Sequence, residues 1–394
     1  MRIAFIGDRL GLATGGNLYI ARLAEELKGL GAEVTLITLT PPRDIPWSRD
    51  LRLVLKEIPF SFGEKPGPGR WSSFFRSRLT VVQELKGLVR EGYDVLYSVG
   101  GPSNLVNHLC RKGPYPPRIS VAVIHHLFRQ DPWWRFLLKA ETYGKPFQTF
   151  YHLLGDHLAK GFKVVTVSEF WRNKLVRRGF ASEAIVVIPN GADWQDWPVQ
   201  ERETSKKTLG LSGFFVLYTS PLRLNKGILN ILQALKLLVS RHPNLMVLTS
   251  GVTDRRSQAK VTRFLRNNGL EGHFRYAGIL PRKELPLYYS ASDVVVLASL
   301  EEEGWGVTLL EGMMSGRAVI CSPKGAMPEL VGENGLVLEK NTPGELAQAL
   351  ERLINEPDLK ERLEKAGPLR ARSFSFRAAA QAHLEHFQRW LEEG

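Results

Sequence analysis

Only two cysteines occur in this 394-residue chain, and no hydrophobic run reaches the length needed to cross a membrane. Cys110 and Cys321 stand 211 positions apart, so the sequence predicts neither a disulfide framework nor a zinc knuckle, and a reducing compartment fits best. The longest apolar runs have the length of strands, against the ~20 residues of a spanning helix. The first strand follows Met1 directly, without the features of a secretion signal. We therefore expect a cytoplasmic protein.

The signatures of several nucleotide-binding enzymes are absent as well. The loop after the first strand does not spell Gly-x-Gly-x-x-Gly, and the second strand ends in Thr38-Leu39-Thr40 without an acidic residue for a ribose, which disfavours a nicotinamide dehydrogenase. No Gly-x4-Gly-Lys-Ser/Thr occurs, which excludes a P-loop enzyme. No Asp-x-Asp pair occurs either, so we expect neither a metal clamp of that type nor a cofactor.

The formal charge of +13 is concentrated in the first half of the chain. Residues 1–195 carry 27 Lys and Arg against 17 Asp and Glu, whereas residues 196–394 carry 26 against 23. Nucleic acid, an anionic membrane surface and phosphorylated substrates could all explain such an excess. Cations alternate with aromatics in 67–79 and 128–154, as in segments that lie on anionic membranes, although these aromatics could instead be core residues beside solvated arginines. No nucleic-acid module accompanies the charge.

Apolar segments alternate with helical patterns in two successive series, which is typical of doubly wound parallel sheets. Polar and turn residues interrupt the pattern over 188–213. We therefore predict an α/β protein with domains at 1–195 and 196–375, and a terminal helix at 376–394 that packs back towards the first domain. The predicted strands are Arg2–Ile6, Val95–Val99, Ile119–Ile124, Val164–Val167 and Ile185–Ile188, then Phe214–Thr219, Leu245–Thr249, Arg275–Gly278, Val294–Leu297, Ala318–Cys321 and Gly335–Leu338.

The stretch over 291–322 predicts a buried strand, an acidic loop with glycines, and a helix that begins near Thr308. Backbone amides at the start of a helix bind anions, and Gly304 and Gly306 would let a diphosphate approach them closely. Glu303 and Glu311 could both accept hydrogen bonds from the vicinal hydroxyls of a sugar or a ribose. The stretch therefore indicates a ligand that carries phosphate and hydroxyl groups.

Glu311 has a second interpretation. Thr308-Leu-Leu-Glu311 matches the Thr-x-x-Glu capping box, in which the glutamate accepts a hydrogen bond from the amide of the cap residue. Glu301 and Glu302 are expected to form a solvated charge run rather than to bind a ligand.

Arg223 and Lys226 follow the first strand of the second series, before a helix. Ligands of open α/β sheets bind at the carboxyl ends of strands, and two cations there could neutralise a leaving diphosphate. The alternative is that Lys226 and Gly227 only open the helix.

These motifs, taken in order along almost the whole chain, resemble retaining glycosyltransferases of family 4. The motifs that carry the resemblance are Gly15-Gly16, Val167-Ser168-Glu169, Ile188 to Asp193, Lys226-Gly227, and the spacing of Glu303 and Glu311 around an Glu-Gly-x-Gly loop.

The resemblance implies a GT-B fold, in which two Rossmann-like domains face a cleft and the second domain binds the nucleotide-sugar. Glu311 would then bind the ribose hydroxyls, Glu303 the hydroxyls of the transferred sugar and Lys226 the diphosphate, while Ile279 would lie where the base is received. The resemblance implies these donor-site residues: Gly15, Gly16, Arg223, Lys226, Ile279, Glu303, Gly304, Gly306, Val307, Thr308, Leu309 and Glu311.

The resemblance also implies a catalytic set of His125, Glu303 and Lys226. His125 would contact the donor sugar near the reacting carbon, and His126 takes its place if the strand ends one residue later, because successive strand residues point to opposite faces. Relatives place an arginine five positions before the lysine, where this chain has Pro221, so it is open whether Arg223 replaces that arginine.

The function implied is metal-independent transfer of a hexosyl group, with retention of configuration, from a UDP- or GDP-sugar to a glycan or lipid-linked acceptor. We expect the protein in the cytoplasm, at the inner face of the membrane if the basic segments bind lipid, and not on nucleic acid. Two alternatives remain open, namely a catalytically silent nucleotide-sugar-binding or scaffold protein and a sugar-nucleotide epimerase of the same fold.

Overall fold

The computed structural model describes residues 1–7, 15–38, 52–54, 92–113, 115–124, 154–192, 194 and 197–393. The chain divides into two compact units, one of Met1–Gly191 together with Phe376–Gly394 and one of Ala192–Ser375. The sequence pattern placed this boundary between residues 195 and 196, whereas the structure places it four residues earlier, directly after Gly191.

The first unit contains a seven-stranded parallel sheet with the order β3-β2-β1-β4-β5-β6-β7. Its central strands are buried along almost their whole length, as expected of apolar strands covered on both faces. The strands are β1 (Arg2–Gly7), β2 (Glu33–Thr38), β3 (Arg52–Val54), β4 (Val95–Val99), β5 (Ile119–Val123), β6 (Lys163–Thr166) and β7 (Ile185–Val187).

The helices of this unit cover the sheet. The terminal helix α12 (Phe376–Glu393) belongs to the unit and packs against α1 (Gly15–Gly29), where Phe387 and Trp390 join the apolar cluster around Tyr19. Ser168 caps α3 (Glu169–Arg177) by accepting from the amide of Trp171 at 3.2 Å. Helix α2 (Gly101–Arg111) follows β4, and residues 154–158 are also helical.

The second unit contains a six-stranded parallel sheet with the order β10-β9-β8-β11-β12-β13. Its strands are β8 (Phe214–Tyr218), β9 (Leu245–Thr249), β10 (Phe274–Tyr276), β11 (Val294–Leu297), β12 (Ala318–Cys321) and β13 (Leu336–Val337). Its helices are α4 (Arg202–Leu209), α5 (Ile228–Leu238), α6 (Arg255–Asn268), α7 (Leu285–Ala291), α8 (Val307–Met314), α9 (Met327–Val331), α10 (Pro343–Asn355) and α11 (Pro357–Ala371).

The strand order of the second sheet contains a point where the direction of winding reverses. From β8 the chain continues outward to β9 and β10, and it then returns to β11 on the other side of β8 before continuing to β12 and β13. The loops that follow β8 and β11 therefore leave in opposite directions and open a crevice at the carboxyl ends of these two strands, which is where open α/β sheets bind ligands. The two parallel, doubly wound sheets confirm the predicted α/β fold class.

Candidate active site

The crevice between β8 and β11 brings together Lys226 and Glu303, which are 77 residues apart in sequence. The Nζ of Lys226 donates to Oε1 of Glu303 at 2.9 Å, and Oε2 of Glu301 lies 3.8 Å from the same Nζ. The side chains of Lys226 and Glu303 are 21 % and 18 % exposed, so a ligand can reach both of them. The structure thus places a cation and a carboxylate side by side at the mouth of the crevice.

Close contact between the two loops fixes Lys226. Gly227 has φ 81°, and a Cβ at this position would lie 1.8 Å from the carbonyl oxygen of Ala298 after β11, so only glycine allows the loops to approach this closely. The amide of Leu300 donates to the carbonyl of Asn225 at 3.0 Å. The buried hydroxyl of Tyr218, the last residue of β8, lies 3.1 Å from the carbonyl oxygen of Lys226, to which it can donate. Gly227 therefore has a packing role as well as opening α5.

The backbone of Glu303 is held by the chain that follows β12. Glu303 forms an isolated parallel bridge with Gly325, and its carbonyl oxygen accepts from the amide of Ala326 at 3.1 Å. The adjacent Trp305 is buried and packs edge-on against Phe374, with ring centroids 5.2 Å apart. The acidic loop is thus anchored on both sides of Glu303 while the carboxylate remains accessible.

Helix α8 begins at Val307, after the loop glycines. Gly306 is the N-cap residue with φ 92°, a conformation that favours glycine, and no side chain caps the helix. The amide of Leu309 donates to the carbonyl of Gly306 at 2.8 Å, so that amide is engaged within the first turn. The hydroxyl of Thr308 donates to the carbonyl of Thr219, just after β8, at 2.8 Å. This contact ties the start of α8 to the loop that carries Lys226.

Glu311 lies on α8 and is buried, with 7 % of its surface exposed. Arg282 donates from a guanidinium nitrogen to Oε1 at 2.9 Å, and the hydroxyl of Tyr289 on α7 donates to Oε2 at 2.8 Å. The N-cap residue of α8 is Gly306 and not Thr308, and the Glu311 carboxylate is held by side chains of another segment. The capping-box interpretation of Glu311 is wrong.

The side chain of Tyr289, which donates to Glu311, is fully buried. Burial raises its pKa well above the usual value, and the negative charge of Glu311 raises the pKa further, so the hydroxyl is protonated at neutral pH and donates to the carboxylate. The same hydroxyl contacts that of Thr219. Buried carboxylates require such partners, because an unpaired charge is costly inside a protein.

Arg223 and Ile279 lie further out on the same edge of the sheet. The exposed side chain of Arg223 lies near Asp254, whose pKa is lowered by its hydrogen bonds with Ser257 and, to a smaller extent, by the charge of Arg223. Ile279 follows β10 and is 71 % exposed. The described contacts thus join Lys226, Glu303, Thr308 and Glu311 to one crevice, and they leave Arg223 and Ile279 beside it.

Several predicted residues lie outside the described part of the chain or in the other unit. His125, His126, the basic segment 67–79 and residues 128–153 are not among the described residues. Gly15 and Gly16 form the first residues of α1 in the first unit, after the strand β1. Within the described ranges, no group of three His, Cys, Asp or Glu side chains is arranged to hold a metal ion.

The sequence patterns missed the partners of Glu311. Arg282 belongs to a run of charged residues before α7, and Tyr289 falls on the apolar face of α7, so each has an ordinary explanation in its own segment. Trp197, which contacts both of these side chains, lies in the irregular stretch before α4. No local signal relates these three residues to Glu311, because the contacts join separate segments of the chain.

Two family profiles together cover most of the chain. Residues 14–191 match the Glycosyl transferase 4-like domain, and residues 199–370 match Glycosyl transferases group 1. A D-inositol 3-phosphate glycosyltransferase of Corynebacterium glutamicum is 30 % identical over 93 % of this chain and 89 % of its own length. The chain belongs to the family 4 glycosyltransferases. The sequence resemblance to this family is thereby confirmed.

Other relatives match over different lengths. The O-antigen chain mannosyltransferase B of Escherichia coli is 29 % identical over 57 % of this chain, a match that spans 59 % of its own length. The solved structure of HepE from Anabaena in complex with UDP-glucose aligns with a TM-score of 0.78 at 18 % identity and covers 99 % of this glycosyltransferase and 100 % of HepE. The structural match identifies the GT-B fold. None of the described helices is both long and apolar enough to span a bilayer.

Proposed function

We propose that this family 4 member transfers a hexosyl group from a nucleoside diphosphate sugar to an acceptor hydroxyl, with retention of anomeric configuration and without a metal ion. The observation that carries the proposal is the Lys226–Glu303 ion pair, in which Nζ and Oε1 are 2.9 Å apart. The pair lies at the reversal point of the second sheet, in the loops that precede α5 and α8. The cation and the amides at the helix start can bind the phosphates of a sugar diphosphate, and the accessible carboxylate can bind its hydroxyls.

Lys226 is the residue that we assign to the diphosphate. An ammonium group has three N–H donors, so Lys226 can keep its bond to Glu303 and still donate to phosphate oxygens. When the bond between the anomeric carbon and the diphosphate breaks, negative charge grows on the diphosphate, and a fixed cation stabilises that charge. Arg223, which lies further out along the same edge, and the amides of Gly304, Gly306, Val307 and Thr308 complete the proposed phosphate site.

The two glutamates are assigned to hydroxyl groups. Each carboxylate oxygen can accept more than one hydrogen bond, so Glu311 can accept from the ribose while Arg282 and Tyr289 hold it in place. Glu303, which is anchored through its backbone, would accept from the hydroxyls of the transferred sugar. Ile279, at the exposed edge after β10, is assigned to the contact with the base.

The reaction proposed is a substitution on one face of the sugar. The bond from the anomeric carbon to the diphosphate oxygen breaks, the acceptor oxygen bonds to the same face of that carbon, and the departing diphosphate takes the acceptor's proton. His125, together with Gly15 and Gly16 of the first unit, is assigned to the donor sugar and its phosphates from sequence resemblance alone. Lys226 and the helix amides supply the positive charge that a divalent metal supplies in other transferases.

The activities of similar proteins support the classes of donor and acceptor that we propose. HepE binds UDP-glucose, and two relatives are a mannosyltransferase for O-antigen chains and a glycosyltransferase for inositol 3-phosphate. We therefore propose a UDP- or GDP-hexose as the donor, and a glycan, lipid-linked or phosphorylated acceptor.

The test is donor turnover by the purified chain without acceptor. UDP- and GDP-hexoses of the α configuration are incubated with the protein, and proton NMR follows the released sugar. We expect slow release of nucleoside diphosphate with the α anomer of the free sugar formed first, since retention places water on the face that the diphosphate leaves. Initial release of the β anomer contradicts retention. A donor converted to an isomer indicates an epimerase, and tight nucleotide binding with no turnover of any donor indicates a silent binding protein.

Contact with an anionic membrane surface is proposed separately, from the excess of 27 basic over 17 acidic residues in 1–195. Flotation with phosphatidylglycerol vesicles tests it. We expect Arg76→Glu with Arg78→Glu to reduce binding, whereas the same charge change at the exposed residues Lys207 and Arg362 of the second unit preserves it. Equal binding of the wild-type protein to neutral vesicles contradicts the proposal.

A further inference from the structure

Trp197 lies on the segment that leads from the domain boundary into α4, and its side chain is buried. The indole N–H donates to the hydroxyl of Ser315 at 2.8 Å. Ser315 is the C-cap residue of α8, and its hydroxyl donates in turn to the carbonyl of Glu311 at 2.8 Å. One edge of the indole is thus hydrogen-bonded to the helix that carries Glu311.

The faces and edges of the same ring contact the two side chains that hold the Glu311 carboxylate. Tyr289 packs edge-on against the indole with centroids 5.2 Å apart and planes at 64°. The guanidinium carbon of Arg282 lies 5.3 Å from the ring centroid, within the range of a cation–π contact. Trp197 therefore touches the donor to Oε1, the donor to Oε2 and the end of the helix on which the carboxylate lies.

These contacts restrict groups that would otherwise move. The Arg282 side chain is 38 % exposed, and a long arginine at that exposure has many rotamers unless something holds it. The indole face gives the guanidinium a fixed surface, and the planar guanidinium can then point one N–H at Glu311. Tyr289 has its ring direction fixed in the same way, and its hydroxyl position follows from that direction.

We propose that Trp197 is a positioning residue for nucleotide binding, which orients the Glu311 carboxylate through Arg282 and Tyr289. The proposal rests on the proposed function, in which Glu311 accepts hydrogen bonds from the ribose. An oriented carboxylate binds the ribose hydroxyls without first losing conformational freedom, so the contacts of Trp197 raise the affinity for the nucleotide although Trp197 does not touch it.

A purely structural role makes a different prediction. A buried tryptophan that only fills the core lowers the free energy of unfolding when it is replaced, but the nucleotide affinity of the folded protein stays the same. The two roles separate when binding is measured well below the melting temperature.

Calorimetric titration with UDP or GDP, whichever binds the wild-type chain, provides the test. We expect Trp197→Leu to raise Kd about tenfold, because the guanidinium and the tyrosine ring lose the surface that holds them. Trp197→Phe keeps an aromatic face and loses the N–H, so a rise of about threefold is expected, and this milder variant decides the question if Trp197→Leu does not fold. Trp390→Phe, in the apolar cluster of the first unit, is the matched control and should lower Tm with Kd unchanged.

A double-mutant cycle separates this proposal from the proposed function. In a Glu311→Ala background, Trp197→Leu should leave Kd unchanged, since the group that it orients is gone. Wild-type Kd in Trp197→Leu, together with weakened binding in Glu311→Ala, overturns the role of Trp197 alone. Wild-type Kd in Glu311→Ala itself contradicts the ribose assignment and therefore the proposed function.

Discussion

Each unit of this glycosyltransferase contains a buried tyrosine that donates a hydrogen bond to a side chain on a helix. In the first unit, Tyr97 on β4 donates to Nε2 of His383 on the terminal helix α12 at 2.8 Å. In the second unit, Tyr289 on α7 donates to the carboxylate of Glu311 on α8, also at 2.8 Å. The two pairs share a geometry and differ in charge and in access to solvent.

The Tyr97–His383 pair in the first unit is uncharged and fully buried. Nδ1 of His383 lies 2.7 Å from the carbonyl of Ala379, which can only accept, so Nδ1 carries the proton and Nε2 accepts from Tyr97. Burial lowers the pKa of His383 to about 4. The pair in the second unit instead holds a carboxylate that Arg282, at the surface, also contacts. The first pair thus joins α12 to the sheet of its unit, whereas the second pair holds the carboxylate that we propose binds the ribose.

The largest expected effect concerns the charged site. Lys226→Ala should lower the rate of transfer or donor hydrolysis by about 10²- to 10³-fold, because it removes the cation that we propose stabilises the departing diphosphate. Its ammonium group lies at the mouth of the crevice and its side chain is 21 % exposed, so the variant should still fold, which its melting temperature checks. Steady-state kinetics measures the effect, with Lys207→Ala on α4 as the control. Turnover equal to that of the wild type would remove Lys226 from the mechanism.

The second prediction concerns the pH dependence of the neutral pair. His383 has a pKa of about 4 in the folded state, against the ordinary histidine pKa of 6.5. Below pH 6.5 the unfolded chain therefore binds a proton that the folded protein does not bind until the pH approaches 4. Its contribution is present above pH 6.5 and is lost as the pH falls towards 4, by about 3 kcal/mol in total. Urea unfolding at several pH values measures it. In His383→Gln this part of the slope should disappear, and an unchanged slope contradicts the prediction.

A smaller effect separates stability from binding in the first unit. Tyr97→Phe removes the closer of two hydroxyls beside Nε2 of His383, and it should lower the free energy of unfolding by about 1 to 2 kcal/mol because the Tyr19 hydroxyl, at 3.4 Å, is the weaker donor. Nucleotide affinity should not change. Chemical denaturation and calorimetric titration of the same preparation provide both numbers. Loss of nucleotide binding in the folded variant would show that the first pair also serves the site.

The smallest effect is expected for the matching change in the second unit. Tyr289→Phe removes one of the donors to Glu311, so nucleotide binding should weaken by about 1 kcal/mol, or roughly fivefold. Arg282 continues to hold the other carboxylate oxygen, which limits the loss. Calorimetric titration measures the change. Lowered stability with wild-type affinity would show that Tyr289, like Tyr97, serves stability alone, and it would contradict the predicted difference between the two units.

The sequence predicted much of the fold because buried parallel strands are continuous apolar runs. The strands Val95–Val99, Leu245–Thr249, Val294–Leu297 and Ala318–Cys321 were predicted with the bounds that the structure has. The strand Arg52–Val54 was not predicted, since three residues at the edge of a sheet show no periodicity. The predicted strand Gly335–Leu338 is shorter in the structure, Leu336–Val337, because it pairs with β12 at only two positions.

The site divides along a similar line. Lys226, Glu303 and Glu311 each stand beside a glycine loop or a helix start, and such local features are readable in a sequence. Arg282 and Tyr289 contact Glu311 across 29 and 22 positions, and Trp197 reaches Ser315 across 118. The packing of separate segments brings these groups together, so the residue pattern within any one segment does not predict the contacts. Local patterns therefore identified the three charged residues of the crevice and missed the groups that contact Glu311 and Ser315.

The most direct measurement of the central claim pairs one change in the protein with one change in the ligand. Wild-type protein and Glu311→Ala are titrated with a nucleoside diphosphate and with its 2′,3′-dideoxy analogue. If Glu311 binds the ribose, the wild type should favour the hydroxylated ligand by about 1 to 3 kcal/mol, and Glu311→Ala should bind both ligands equally. Equal discrimination by the two proteins would contradict the assignment of the donor site to this crevice.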